Sequence, residues 1–250
     1  MNVPFKANYP KGIAMIFLFL LPIVLINSCR YKDNDTKSQP KSIAKASLKN
    51  RIPVNKPDTI LSSTIGYVDG HQFIVTCNSK YNLFVTNEKG DHIYVDSVYS
   101  PNQKFIDFNG DGYKDILIDY VTNTPGIRDL LLYDKGVKSF KQVVDFQNFP
   151  EAKRIGKTAY YYSYHRSGCA DLNWDSDLFY IKDDQTIRIG NISGRQCGDT
   201  GLKDGIYIFK TLADVKTQID HLPINTIKRY KGLKWEFIDQ YWRKNYKRFL

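Results

Sequence analysis

Residues 107–119 read Asp-Phe-Asn-Gly-Asp-Gly-Tyr-Lys-Asp-Ile-Leu-Ile-Asp, and this stretch sets both the fold class and the chemistry of the chain. Oxygen-bearing side chains stand at Asp107, Asn109, Asp111 and Asp115, which are loop positions 1, 3, 5 and 9. Gly112 takes position 6, and Tyr113 offers its carbonyl at position 7. Alternate residues of a tightly coiled loop point inward, and the glycine accepts a backbone turn that a side chain would obstruct. Calcium is a hard ion that takes six to eight oxygens, so this spacing predicts a calcium loop. Position 12 is Ile118 where an EF-hand needs a bidentate Glu. The residues that follow, Ile116 to Val121, favour a strand over a helix. The competing reading is a polar hairpin turn, because Asn-Gly and Asp-Gly are common turn pairs.

Working outward, the flanks predict a mainly β chain. Short β-branched or aromatic runs occur at 63–68, 72–77, 82–86 and 92–98, separated by Asp69-Gly70, Asn78-Ser79-Lys80 and Glu88-Lys89-Gly90-Asp91. Turn chemistry at that spacing indicates an antiparallel meander. Further strands are expected at 104–106, 115–121, 129–133, 140–146, 159–164, 178–182 and 186–189. The calcium loop occurs once and no fixed period repeats. The expected architecture is therefore a sandwich or an incomplete propeller-like meander, not a complete propeller. Towards the end, Leu212, Val215, Ile219 and Leu222 recur at helical spacing before Pro223, and Trp235, Ile238, Trp242 and Phe249 do so again. They predict C-terminal α-helices from about residue 211.

The N-terminus predicts export. Lys6 and Lys11 precede an uncharged run from Ile13 to Ile26, then Asn27-Ser28-Cys29. A basic segment, a short apolar core and a small residue before the cut describe a secretory signal. A span would need about 20 apolar residues. Ile26-Asn27-Ser28-Cys29 resembles a bacterial lipobox, which implies lipidation at Cys29. The expected organisation is a signal peptide over 1–28, a flexible tether over 29–58 and one domain over 59–250. Lys, Ser, Asn and Pro dominate the tether, which has too few large apolar residues to offset the entropy of ordering.

The formal net charge is +10, and removing Lys6 and Lys11 leaves +8. Residues 226–250 carry eight Lys or Arg against Glu236 and Asp239, a local excess of +6. Export argues against a nucleic-acid partner. The remaining readings are a solvated helix face, or attraction to anionic headgroups or an acidic envelope polymer. Cys169 and Cys197 lie in Gly- and Ser-containing loops flanking 178–189, and are expected to pair as a disulfide, which export permits. Cys77, in an apolar strand, is expected to be a buried free thiol.

His71, His92, His165 and His221 are scattered, and no nucleophile-elbow, zincin or P-loop pattern occurs. Asp171, Asn173, Asp175 and Asp177 alternate, which reads as an edge strand, with a second cation site or an acid/base pair as the competing possibility.

The nine-residue loop running into a strand resembles the FG-GAP or integrin-type calcium loop of β-propellers and related secreted β domains. With Leu130 to Asp134, Ser139-Phe140, a glycine–cysteine stretch and Leu178 to Ile181, the chain looks like exported bacterial calcium-binding β proteins. Some of those are immunity proteins or inhibitors of cell-wall hydrolases, with a fold similar to periplasmic lysozyme inhibitors. The resemblance implies calcium at Asp107, Asn109, Asp111, Tyr113 and Asp115. The expected function is a non-enzymatic, lipid-anchored envelope protein that holds one structural calcium and presents a β surface to an envelope partner. The alternatives are an inhibitor or immunity protein against a cell-wall hydrolase, and a glycan-acting enzyme using Asp171 or Asp175.

Overall fold

The computed structural model describes residues 58–198, 201–213 and 215–250. The expected signal peptide, the expected lipidation residue Cys29 and nearly all of the expected tether lie outside the described residues.

Among the described residues, three antiparallel sheets follow one another in sequence. The first is a meander of β1 (Ile60–Val68), β2 (His71–Asn78), β3 (Leu83–Asn87) and β4 (His92–Asp96). The second is a meander of β5 (Asn102–Ile106), β6 (Asp115–Asp119), β7 (Arg128–Asp134) and β8 (Ser139–Gln142). The third holds β9 (Lys153–Arg154), β10 (Tyr160–Tyr162), β11 (His165–Arg166), β12 (Trp174–Lys182), β13 (Gln185–Arg195), β14 (Gly205–Leu212) and β15 (Val215–Leu222). Its order is β15-β14-β13-β12-β10-β9, with β11 also paired to β12. One α-helix, α1 (Leu233–Asn245), closes the chain and passes into a terminal 3-10 turn.

Strand periodicity explains how the layers stack, since successive side chains face opposite ways. On β6, Ile116 and Ile118 join Val75, Leu83 and Val85 of the first sheet. Leu117 points the other way, to Phe146, Tyr161 and Phe179 against the third sheet. The middle sheet is thus covered on both faces, which is why Ile116, Leu117 and Ile118 at the centre of β6 are all apolar. On the far side of the third sheet, α1 packs Phe237, Ile238 and Trp242 onto Trp174, Leu178, Ile192 and Ile206. The Trp242 indole N–H donates to Ser176 Oγ at 2.8 Å, satisfying a buried hydroxyl beneath the helix.

Two expectations need correction. The segment expected to be helical from about 211 is a hairpin: Leu212 ends β14 and Val215–Leu222 is β15. Leu212, Val215 and Ile219 are exposed, so their helical spacing reported no buried face. Val215, Thr217 and Ile219 are β-branched at a period of two, which favours a strand. The Asp171–Asp177 segment is not an edge strand either. From Trp174 it runs as β12, flanked by β13 on one side and by β10 and β11 on the other.

Candidate functional site

The acidic loop leads directly into the doubly covered strand β6. Asp115, its last acidic residue, is fully buried. Its Oδ1 accepts the Tyr133 backbone N–H at 2.9 Å, and its Oδ2 accepts those of Phe108 at 2.9 Å and Asn109 at 3.4 Å. One carboxylate therefore ties the loop to β6 and to β7. Burial raises its pKa to about 6, against the lowering effect of those three N–H donors.

The other loop side chains are turned onto the loop's own backbone. Asp107 accepts N–H groups from Gly110 at 2.6 Å and Gly112 at 3.1 Å. Asn109 Oδ1 accepts from Asp111 N–H, and Asp111 Oδ1 from Tyr113 N–H. Asn109 Nδ2 donates to Asp111 Oδ2 at 3.0 Å. Gly110 and Gly112 have φ of +74° and +94°, the region that glycine enters without steric cost. A Cβ at Gly110 would lie 1.4 Å from Arg154 Nη1, so this guanidinium sits against the loop and offsets part of its negative charge. Phe108 stacks on Tyr161 at 5.1 Å, which couples the loop to the third sheet.

Among the described residues, no three His, Cys, Asp or Glu side chains converge as a metal-ligating group. The donor set of Asp107, Asn109, Asp111, Asp115 and the Tyr113 carbonyl is nevertheless all oxygen, which suits a hard cation. A cation would also relieve the burial of the Asp115 charge.

The described residues carry several other depressions, two of which gather charged side chains from the third sheet. A cleft of about 590 Å³ runs between α1 and the β9–β11 edge, lined by Trp235, Tyr164, Tyr162, Glu151, Lys153 and Asp239 among others. Trp235 is half exposed and its ring lies 3.9 Å from that of Tyr164. Tyr162 donates its hydroxyl to Asp239 at 2.6 Å, and Arg243 Nε donates to both oxygens of Asp239. Of the basic C-terminal residues, Arg243 is thus paired to Asp239, and Lys234 reaches Asp171 Oδ2 at 2.7 Å.

No family model matches the chain, and no curated protein matches it. Among solved structures it is similar to a Xanthomonas type IV secretion system related protein. The identity is 13%, the TM-score is 0.41, and the match covers 63% of this chain and 93% of that one.

The second depression, of about 440 Å³, lies on the third sheet's other face, where His165, Asp175, Asp177, Arg188, Asn191 and Arg195 gather. Asp175 and Asp177 project there from β12, while Trp174, Ser176 and Leu178 face α1. Asp175 accepts both Ser167 and Ser193 hydroxyls, and Arg195 Nη2 donates to its two oxygens at 3.0 and 2.9 Å. Burial pushes its pKa up, but these donors outweigh burial and hold it below the usual range. For Asp177, burial prevails over Arg188, Asn191 and His165 and raises it. Asp171 receives Lys234 and the Tyr164 hydroxyl. The two candidate acid/base residues, Asp171 and Asp175, are thus both engaged by cations and hydroxyls. Cys169 and Cys197 form a disulfide beside this region, and Cys77 is a buried free thiol.

The sequence reading noted Asp175 and Asp177 but not Arg188, Asn191, Arg195 or Lys216, which come from β13 and β15. The available signal was polar alternation in β13, where Asn191 and Ser193 interrupt Ile192 on a strand otherwise apolar enough to be buried.

Proposed function

We propose that this chain is a non-enzymatic, lipid-anchored cell-envelope protein whose β domain binds one calcium ion and presents a ligand-binding surface to an envelope partner. The calcium is held by Asp107, Asn109, Asp111, the Tyr113 carbonyl and Asp115. Its role is structural: it neutralises the loop and fixes it between β6, β7 and the Tyr161 face of the third sheet. The observation that carries this reading is Asp115, a fully buried carboxylate at the end of an all-oxygen loop, held by three backbone N–H groups and, among the described residues, paired with no cationic side chain. The presented surface is the cleft beside Trp235, which has the mix of aromatic wall and convergent polar groups typical of ligand sites. Cys29 is the proposed lipidation point.

Extracellular calcium modules bind with Kd of roughly 10⁻⁴–10⁻³ M. At millimolar calcium, the tighter end of that range stabilises the fold by about 1.4 kcal/mol. The test is thermal melting in chelator and in calcium, with the metal content of the starting protein measured. A midpoint that calcium leaves unchanged refutes the site.

A further inference from the structure

The depression on the open face of the third sheet is built from five strands, β11 to β15. His165 lies opposite Asp175, Asp175 opposite Ser193, Asp177 opposite Asn191, and Thr211 opposite Lys216. Its carboxylates are buried, yet the cavity beside them has about 440 Å³, within the ~300–1,000 Å³ of small-ligand sites. A polar network needed only for folding would satisfy its members internally. Here three donors keep unused capacity, Arg188 and Lys216 at the solvent-exposed rim and Thr211 beneath it. Arg188 Nε lies 3.0 Å from Asp177 Oδ1, but its two terminal nitrogens make no hydrogen bond among the described residues. Lys216 Nζ donates once, to Asn191 Oδ1 at 2.7 Å, while resting 4.1 Å over the Phe209 ring. Thr211 Oγ1 is buried and has no hydrogen-bond partner.

Charge points the same way. Arg188, Arg195 and Lys216 against Asp175 and Asp177 leave an excess of one positive charge, before any contribution from His165. Arg195 is consumed by Asp175 and by the Trp174 and Gly194 carbonyls. The open positive valence therefore belongs to Arg188 and Lys216. One acceptor is also under-used: Asp177 Oδ2, whose nearest ionic neighbour is His165 Nε2 at 3.9 Å.

We propose that this depression binds a small hydroxy acid of the sugar-acid class. Arg188 and Lys216 hold its carboxylate, and Asp177 Oδ2 accepts from one of its hydroxyls. The site is distinct from the cleft beside Trp235 and does not depend on calcium in the acidic loop. A simple oxyanion would use the donors alone, and a neutral sugar would leave the positive charge unanswered.

Calorimetric titration of the full chain with glucuronate, glucose and inorganic phosphate tests the assignment. Glucuronate binds and is preferred over both others. Lys216→Met and Arg188→Gln each weaken it roughly 10- to 100-fold, as expected for a lost hydrogen bond to a charged group. Thr211→Val, which alters a hydroxyl buried beneath the depression, leaves the affinity within about 3-fold. Arg188→Gln also removes a counter-charge from buried Asp177, so Lys216→Met, on the hairpin strand β15, is the deciding variant if the first fails to fold. Three results overturn the proposal: no glucuronate binding, binding that survives Lys216→Met, or phosphate binding as tight as glucuronate.

Discussion

Asp115 makes the sharpest prediction, because its burial and its proposed role have opposite signatures in pH. Its folded pKa is raised from 3.8 to about 6 by desolvation. The folded state therefore holds the proton more tightly than the unfolded chain does. The stabilisation that this proton confers is complete below about pH 4 and is lost as pH rises through about 6. At roughly 1.4 kcal/mol per pKa unit, the two-unit shift amounts to ~3 kcal/mol. Other carboxylates titrate in the same window, so the useful quantity is the difference between wild type and Asp115→Asn. The amide mimics the protonated acid and cannot ionise, and any fixed penalty from its altered hydrogen bonding cancels from the pH dependence. In chelator, wild type should lose ~3 kcal/mol relative to the variant between pH 4 and 7. For a domain of this size that is a relative fall of about 6–12 °C in midpoint. Calcium reverses the trend, because a cation favours the ionised carboxylate. Its stabilising increment should therefore grow with pH up to about 7 in wild type and be absent in the variant. Thermal melts across pH 4–7.5, with chelator and with calcium, read both. A flat difference curve in chelator refutes the buried-charge argument, and equal calcium increments in the two proteins refute Asp115 as a ligand.

The loop's other residues separate folding from metal binding. Asp111→Asn, at an exposed position, should change stability in chelator by less than about 0.5 kcal/mol and remove most of the calcium increment. Replacing Cys169 and Cys197 by Ser opens a loop spanning 28 residues of sequence. By loop-closure entropy this should cost roughly 3–4 kcal/mol, read as a lower denaturant midpoint with a steeper slope, because the uncrosslinked unfolded chain exposes more surface. Gly194→Ala should cost about 1–3 kcal/mol or more in the same assay. A Cβ there would meet the fully buried Trp174 indole at 2.1 Å, and little can yield because α1 packs over that ring.

Where the strands lie was legible from residues 59 to about 189, because each run ends in residues with a strong turn preference. Asp69-Gly70 and Asn87 to Asp91 are examples, with Gly70 and Gly90 at positive φ. The double coverage of the middle sheet was also latent in the text, since Ile116-Leu117-Ile118 leaves no polar face for solvent. The β14–β15 hairpin was not legible from apolar spacing, because Leu212, Val215 and Ile219 face water. A periodicity argument assumes that apolar residues mark a buried face, and there they do not.

The polar face of the third sheet fails for a different reason. Its alternating acids in β12 have the pattern of a solvent-facing edge, and only the pairing of β12 on both sides shows that they are interior. Arg188 and Arg195 lie on β13 and Lys216 on β15, so no local window contains the cluster. What unites them is register: Phe179 opposite Arg188, Asp175 opposite Ser193 and Thr211 opposite Lys216. A one-residue slip in either hairpin would turn these side chains to the opposite face. Alternation along β12 puts Asp177 and Phe179 on one face, and the extra β13 residue at the bulge, Ile189, lets Arg188 and Asn191, three apart, both face that side. The same strand thereby meets the aromatic core at Phe179 and the polar depression at Asp177. Deleting Ile189 should keep both pairings, Asp177 with Asn191 and Phe179 with Arg188, and cost only the packing of Ile189 against the core beneath α1, read as a lower thermal midpoint.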